Sequence, residues 1–388
     1  MRLYLCAAAL ARTADEMVGV ALVLLVLERT GDAALSGAVV AAYTVPSVLS
    51  GPLLGAWLDR ARRPVIALAG NQFLLAAVAL GLVLAGDRLA VLLGLAFLGG
   101  TTLPMTSGGF SSLVPRLGRD DLPRATAADA LVFNAAAIGG PALAGVLSTV
   151  WGPAVAVLGI SGLSLLGGLC TTALRVPPHE AARRAPLLAA MRAGLRHLAT
   201  TAPLRGATAA TVLSYGTVGL LSTGLPAHLA SLDLDEDLAG VVWAVFEAGA
   251  ITGVFALRRH LPRWRPERVI FTLLPLYGLA VAVWPLPSGL GVLLALVFVG
   301  GVVDGPVLTA TMTARQRYTP EELLGQVSTT GASLKIGGYA VGAATGGWLV
   351  AGGLAPALVI LLVAAGQVAA AGLGALTARS RHPVRVSP

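Results

Sequence analysis

Lysine occurs once in this chain, cysteine only twice, and charged side chains of every kind make up 12% of its 388 residues. A domain that folds in water carries about 25% charged residues, so a soluble globule is excluded and the expected solvent is lipid. The two cysteines, Cys6 and Cys170, both fall inside apolar runs near the same expected membrane face. Neither a disulfide framework nor a cysteine metal site is therefore expected. The chain also lacks any Gly-x-Ser-x-Gly, His-Glu-x-x-His or Walker sequence. Without such a nucleophile, metal site or phosphate cradle, the expectation is no enzyme, no cofactor and no ATP-driven pump. The net charge of +8 would suggest nucleic acid in a soluble protein, but here the bases lie in short segments between apolar runs. Membrane proteins keep them there, and no nucleic-acid partner is implied.

What the chain has in quantity is apolar residues, at 56%, together with 48 glycines and 23 prolines inside the apolar runs. Membrane helices tolerate both and pack through small residues. Runs long enough to cross a hydrocarbon core of about 30 Å occupy residues 3–27, 35–58, 65–85, 89–113, 125–150 and 153–174. Six more occupy 207–230, 238–257, 269–287, 290–314, 327–350 and 354–376. The fold class expected is an all-α membrane protein of twelve transmembrane helices in two six-helix bundles. Arg12, Asp15 and Glu16 interrupt the first run, unlike the uncharged core of a signal peptide, so it is read as a span. The domain reading is an N-terminal bundle over 1–174, a linker over 175–205, and a C-terminal bundle with a short basic tail over 206–388. Six arginines against one glutamate mark the linker, and its stretch 187–198 has the pattern of an amphipathic surface helix.

Orientation follows from the bases. With the N-terminus inside, 23 of the 27 basic residues fall on the cytoplasmic side, Arg29 and Arg88 fall outside, and Arg12 and Lys335 lie within spans. The outside receives the acidic cluster Asp233, Asp235, Glu236 and Asp237. Both termini are expected in the cytoplasm, with the protein in the plasma membrane. An internal repeat reinforces the division. Gly51, Gly55 and Arg60 recur at identical spacing as Gly249, Gly253 and Arg258, and at one offset of 201 Gly99 and Gly100 recur as Gly300 and Gly301. The same offset relates Asp120, Asp121 and Leu122 to Glu321, Glu322 and Leu323, and Gly145 to Gly346. Two parallel halves of six spans imply an axis along the membrane normal.

Between the second and third spans the chain reads Gly-Ala-Trp-Leu-Asp-Arg-Ala-Arg-Arg-Pro. This resembles the signature loop of the major facilitator superfamily, through Gly55, Asp59, Arg60 and Arg63. Arg62 stands where that family has a second glycine, and Pro64 where a further base is usual. The resemblance implies that Asp59 meets the N-terminus of the eleventh helix, near Gln326, as part of a gate. Gly139, Gly140, Pro141 and Gly145 resemble the family's antiporter motif, a helix-packing kink. The stretches 113–145 and 318–347 look like the corresponding regions of drug-exporting branches, particularly the macrolide-efflux and enterobactin-exporter type.

Charges within spans cost about 2.5–3.5 kcal/mol each at a helix centre, so each needs a reason. Arg12, Asp15 and Glu16 share one helical face and can partly neutralise one another. Glu247, Asp304 and Lys335 lie at similar depth, and Lys335, the sole lysine, falls opposite Asn134 in the repeat. His228 is read as a boundary residue. Arg12, Asp15, Glu16, Asn134, Glu247, Asp304 and Lys335 form the expected coupling or substrate cavity. The expected function is a proton-coupled exporter of amphipathic or cationic small organic molecules, working by alternating access with protons, substrate and the lipid bilayer as partners and a monomer as the working unit. The alternatives are a transporter of a defined metabolite or siderophore with the same fold, and a membrane-embedded enzyme or lipid-handling protein.

Overall fold

The computed structural model describes residues 1–31, 33–176, 186–234, 238–286 and 289–379. Twelve long helices appear among them. The first half comprises α1 (Arg2–Thr30), α2 (Ala33–Arg60), α3 (Pro64–Leu84), α4 (Leu89–Gly100), the one-turn α5 (Val114–Leu117), α6 (Leu122–Trp151) and α7 (Pro153–Thr172). After α8 (Leu187–Thr200) come α9 (Ala202–Ser231), α10 (Ala239–Leu257), α11 (Pro266–Ala282), α12 (Leu290–Tyr318), α13 (Leu324–Ala351) and α14 (Pro356–Thr377). α8 covers the predicted surface helix and continues directly into α9 across Thr201. Six long helices open on a proline in their first two positions, α3, α6, α7, α9, α11 and α14. There the missing N–H costs nothing and the fixed φ suits a helix start. Of the acidic cluster, Asp235, Glu236 and Asp237 lie outside the described residues.

Eight of the helices are long and apolar enough to cross a membrane by composition alone. α1, α9 and α13 fall short because they carry charged and small polar side chains, and the 17 residues of α11 are slightly too few. Each bundle has its own apolar core. Met17, Leu22, Leu25, Leu75 and Leu92 build one, and Phe246, Tyr277, Trp284 and Val297 build its counterpart. Arg29 donates to the carbonyls of Leu82, Val83 and Gly86, which terminates α3 with a cation at its negative end. That local task accounts for a base at the face where few others lie.

The repeat is physical as well as textual. At Gly100 a Cβ would sit 1.8 Å from the Tyr43 carbonyl oxygen on α2, and at Gly301 it would sit 1.9 Å from the Phe246 carbonyl oxygen on α10. Both halves therefore bring two backbones together through the same glycine, as membrane helices do where no hydrophobic force draws them. Gly301→Val is expected to cost about 1–3 kcal/mol by overpacking, read as a lower melting temperature in detergent. Gly291→Val, whose Cβ meets nothing within 4 Å, should melt as the native protein does.

The second glycine repeat has diverged in use. Gly249 and Gly253 pack on the α12 carbonyls of Phe298 and Val302 within one bundle, whereas Gly51 and Gly55 face Ser333, Thr329 and Gln326 of α13 in the other bundle. Ser47, Gly51, Gly55 and Asp59 form an i, i+4 row on α2, and Thr329 and Ser333 donate to the carbonyls of Gly51 and Ser47 at 2.7 and 2.6 Å. Thr126 on α6 donates to Gln316 on α12, and Arg116 lies 4.0 Å from Glu321. These contacts between bundles run from mid-span to the end that carries the termini. α8 lies across that seam, with its Met191 carbonyl accepting from Gln326 and His197 meeting the Tyr318 carbonyl.

Candidate functional site

The chain places two groups of polar residues between the bundles, one at the closed end and one at mid-depth. At the closed end, both carboxylate oxygens of Asp59 accept backbone N–H bonds from the first turn of α13, Gly325 at 2.7 Å and Gln326 at 2.8 Å. A helix start leaves such donors unsatisfied and carries partial positive charge, so the anion is held by geometry and by dipole together. A Cβ at Gly325 would sit 2.4 Å from Asp59 Oδ1 and one at Gly55 would sit 2.0 Å from Thr329 Oγ1. Both positions must be bare for the helices to approach. Arg60 has one guanidinium nitrogen buried and unpartnered, and Arg63 is exposed.

Charge-assisted hydrogen bonds are each worth about 1.5–3 kcal/mol, and Asp59→Asn keeps at most one acceptor facing α13. The closed conformation is expected to lose about 2 kcal/mol, roughly a 30-fold shift toward its alternative. Spin labels at Arg124 and Arg317, introduced after Cys6 and Cys170 are changed to serine, would report it as longer distances at this end. An unchanged distance distribution would remove Asp59 from the gate.

At mid-depth the three charges of α1 part company. Arg12, 2% exposed, forms an ion pair at 2.9 Å with Asp129 of α6, itself fully buried. Asp129 also accepts from Tyr4 at 2.7 Å and from Ser111 at 2.8 Å, while Ser111 accepts from Arg12 at 3.0 Å. Ser111 follows a π-helical turn, Met105–Gly109, that continues α4. Asp15 instead accepts from Tyr43 of α2 at 2.8 Å. Glu16 has no hydrogen-bond donor among the described residues and faces the space between the bundles, half-buried. Gly140 packs directly on it, since a Cβ there would sit 2.5 Å from Glu16 Cβ. Of the other predicted packing residues, Gly139 and Gly145 have nothing within 4 Å of a Cβ, and Pro141 lies inside α6.

Lys335 of α13 has no carboxylate within 4 Å among the described residues. Its ammonium lies instead over the Tyr215 ring of α9, 3.6 Å from the centroid, with Phe133 of α6 at 6.0 Å. Phe133 also carries Arg12 at 5.1 Å. Glu16, Glu247 of α10, Asp304 of α12 and Arg315 are the charged groups within electrostatic range of Lys335. Glu247 and Asp304 are half-buried and, like Glu16, receive no hydrogen bond among the described residues. Asn134 is buried beside Phe133 with its amide nitrogen unpartnered.

Three residues here were not singled out from the sequence. Asp129 is the partner of Arg12, Tyr215 is the seat of Lys335, and Arg315 is a buried guanidinium inside α12. The tenth span was expected to end at 314, which left Arg315 in a loop; the helix runs on to Tyr318, and Arg315 packs on Gly331 and donates to the Ser328 carbonyl at 3.3 Å. His228 lies in the last turn of α9, near a helix end as expected, and is buried there.

The comparisons with known proteins agree with this architecture. The family model described as Major Facilitator Superfamily matches residues 4–342. An uncharacterized MFS-type transporter, y4rN, from Sinorhizobium fredii is 30% identical over 370 residues, covering 92% of this chain and 90% of its own. Among solved structures, the human organic anion transporter MFSD10 (TETRAN) superposes with a TM-score of 0.75 at 17% identity, covering 97% of both chains. The transporter FucP, in its outward conformation, gives 0.74 at 14% identity over 98% of both. With the family model spanning most of the chain and a 30% identical relative over nearly its whole length, this multi-pass membrane protein belongs to the Major Facilitator Superfamily.

Proposed function

We propose that the protein is a proton-coupled secondary transporter that exports amphipathic or cationic small organic molecules by alternating access. The observation that carries this reading is the set of three carboxylates, Glu16, Glu247 and Asp304, drawn from both bundles and left without hydrogen-bond donors around Lys335. Half-buried anions of that kind offer contacts to a cationic group or to protons, and charged residues inside spans mark such pathways. Export is supported by the antiporter-like segment at Gly139, Gly140, Pro141 and Gly145, where Gly140 brings α6 onto α1 at Glu16.

With the termini in the cytoplasm, the closed end is the cytoplasmic one. Cysteine at Asp233 is expected to react with an impermeant thiol reagent on intact cells and cysteine at Arg192 is not, in a background with Cys6 and Cys170 changed to serine. Equal labelling of the two would defeat this orientation.

A second reading, transport of a defined anionic metabolite, is favoured by Arg315, a guanidinium with no carboxylate within 4 Å among the described residues. Purified protein in liposomes under an imposed pH gradient separates the two, screened with ethidium and tetraphenylphosphonium against small carboxylates. Proton flux that depends on the cations supports the first reading. Flux that depends only on the carboxylates supports the second, and no substrate-dependent proton flux from either set removes proton coupling.

A further inference from the structure

On the face of α2 turned away from its Gly51, Gly55 and Asp59 row, a groove of about 770 Å³ runs between α2 and α3, with Thr101 and Met105 of the stretch that follows α4 also lining it. Trp57, Ile66 and Met105 line its apolar part, Asn71 lies within it, and Arg62 and Arg63 close the end nearest the chain termini. Its volume falls in the range of roughly 300–1,000 Å³ that takes a small amphiphile. Trp57 is 47% exposed and Ile66 58%, so the groove opens sideways, where the surroundings of a membrane protein are lipid. An indole at such a rim suits the membrane interface, since its ring is apolar and its N–H polar.

The charge at the rim is unbalanced. Arg62 and Arg63 are exposed, and no carboxylate lies within 4 Å of either among the described residues. Asp59, the acidic residue of the same loop, has both oxygens engaged by α13. Arg62 is moreover one of the two positions at which this loop departs from the signature it resembles, with a guanidinium in place of a glycine. An apolar slot at hydrocarbon depth, ending in two uncompensated guanidiniums at headgroup depth, is complementary to an anion that carries an alkyl chain.

We propose that this groove is a binding site for one anionic phospholipid from the leaflet on the side of the chain termini, with its phosphate on Arg62 and Arg63 and an acyl chain along Trp57, Ile66 and Met105. A planar guanidinium presents forked donors that match phosphate oxygens. A phospholipid fits better than a soluble phosphate because most of the groove wall is apolar and open to the bilayer.

The test is native mass spectrometry of the full chain in detergent, titrated with phosphatidylglycerol and, separately, phosphatidylcholine. The native protein is expected to retain one phosphatidylglycerol at least about tenfold more tightly than phosphatidylcholine. The double variant Arg62→Gln, Arg63→Gln should bind phosphatidylglycerol roughly 10- to 30-fold more weakly and lose the preference, since each base near an anionic headgroup contributes about fivefold. Gly70→Leu fills the groove from α3, and a Cβ there meets nothing within 4 Å. It should weaken phosphatidylglycerol binding while leaving the lipid-free melting temperature unchanged. Arg258→Gln with Arg259→Gln, the basic pair after α10, should bind as the native protein does. Equal affinity of the native protein for the two lipids, or native affinity in both groove variants, would overturn the assignment.

Discussion

Replacing Asp129 with alanine is expected to cost the fold about 3–5 kcal/mol, the loss that follows when one partner of a buried ion pair is removed. Arg12 would keep its charge at 2% exposure, its ion-pair partner gone. Tyr4 and Ser111 would lose the acceptor to which both now donate, so the damage spreads to α1 and to the stretch between α4 and α5. The expected readouts are a lower yield of monodisperse protein and a melting temperature several degrees down. A second variant separates the charge from the packing. Joining Arg12→Met to Asp129→Leu removes both charges together, and buried ion pairs replaced by apolar residues of similar volume are often neutral or stabilising. The double variant still leaves Tyr4 and Ser111 without that acceptor, so it should melt well above Asp129→Ala and somewhat below the native protein. If it is as unstable as Asp129→Ala, the stranded guanidinium is not the source of the loss.

The features legible in the sequence are those written in local pattern. Apolar runs of span length and the Asp59 loop each need only their own neighbours, and the structure has helices where the apolar runs lie. What escaped depends on residues far apart in the chain. Arg12 and Asp129 are 117 positions apart, and nothing near Arg12 in sequence distinguishes that partner from Asp15 or Glu16, which share its helix face. Asp129 lies only two turns into α6, where an acid passes for a boundary residue. Arg315 was assigned to a loop because charge was used to end the apolar run, yet the bare Gly331 and the small Ser328 let α13 come close enough to bury it. The seat of Lys335 on Tyr215 was invisible for the same reason, since a cation over a ring requires α9 and α13 to be in register. The glycines Gly216, Gly219, Gly338 and Gly342 that set this register were legible as small residues but not as a pair of facing surfaces.

Replacing Lys335 with methionine is expected to abolish proton-driven uptake against a gradient, at least about 100-fold, while leaving folded protein in the membrane. The ammonium is a cation within electrostatic range of Glu16, Glu247 and Asp304 alike, and it is not consumed by any of them. A permanent salt bridge would hold α10, α12 and α13 together in every state. An ammonium lying 3.6 Å over the Tyr215 ring is held by about 0.5–2 kcal/mol, weakly enough to be exchanged for a carboxylate, a proton transfer or a substrate as the bundles move. Asp304→Asn removes one prospective partner and should give the same loss. Lys335→Arg is the discriminating variant. A guanidinium stacks on aromatic rings at least as well as an ammonium but stays charged at any accessible pH. If Lys335 serves only to pin α13 to Tyr215, the arginine variant should transport as the native protein does. If its charge must change during the cycle, the arginine variant should retain substrate binding and a native melting temperature yet lose concentrative transport. The measurement is transport by purified protein in liposomes, with and without a pH gradient, using whichever substrate the panel identifies. Native pH dependence in both Lys335→Met and Asp304→Asn would end the coupling proposal and leave the aromatic seat as a structural contact.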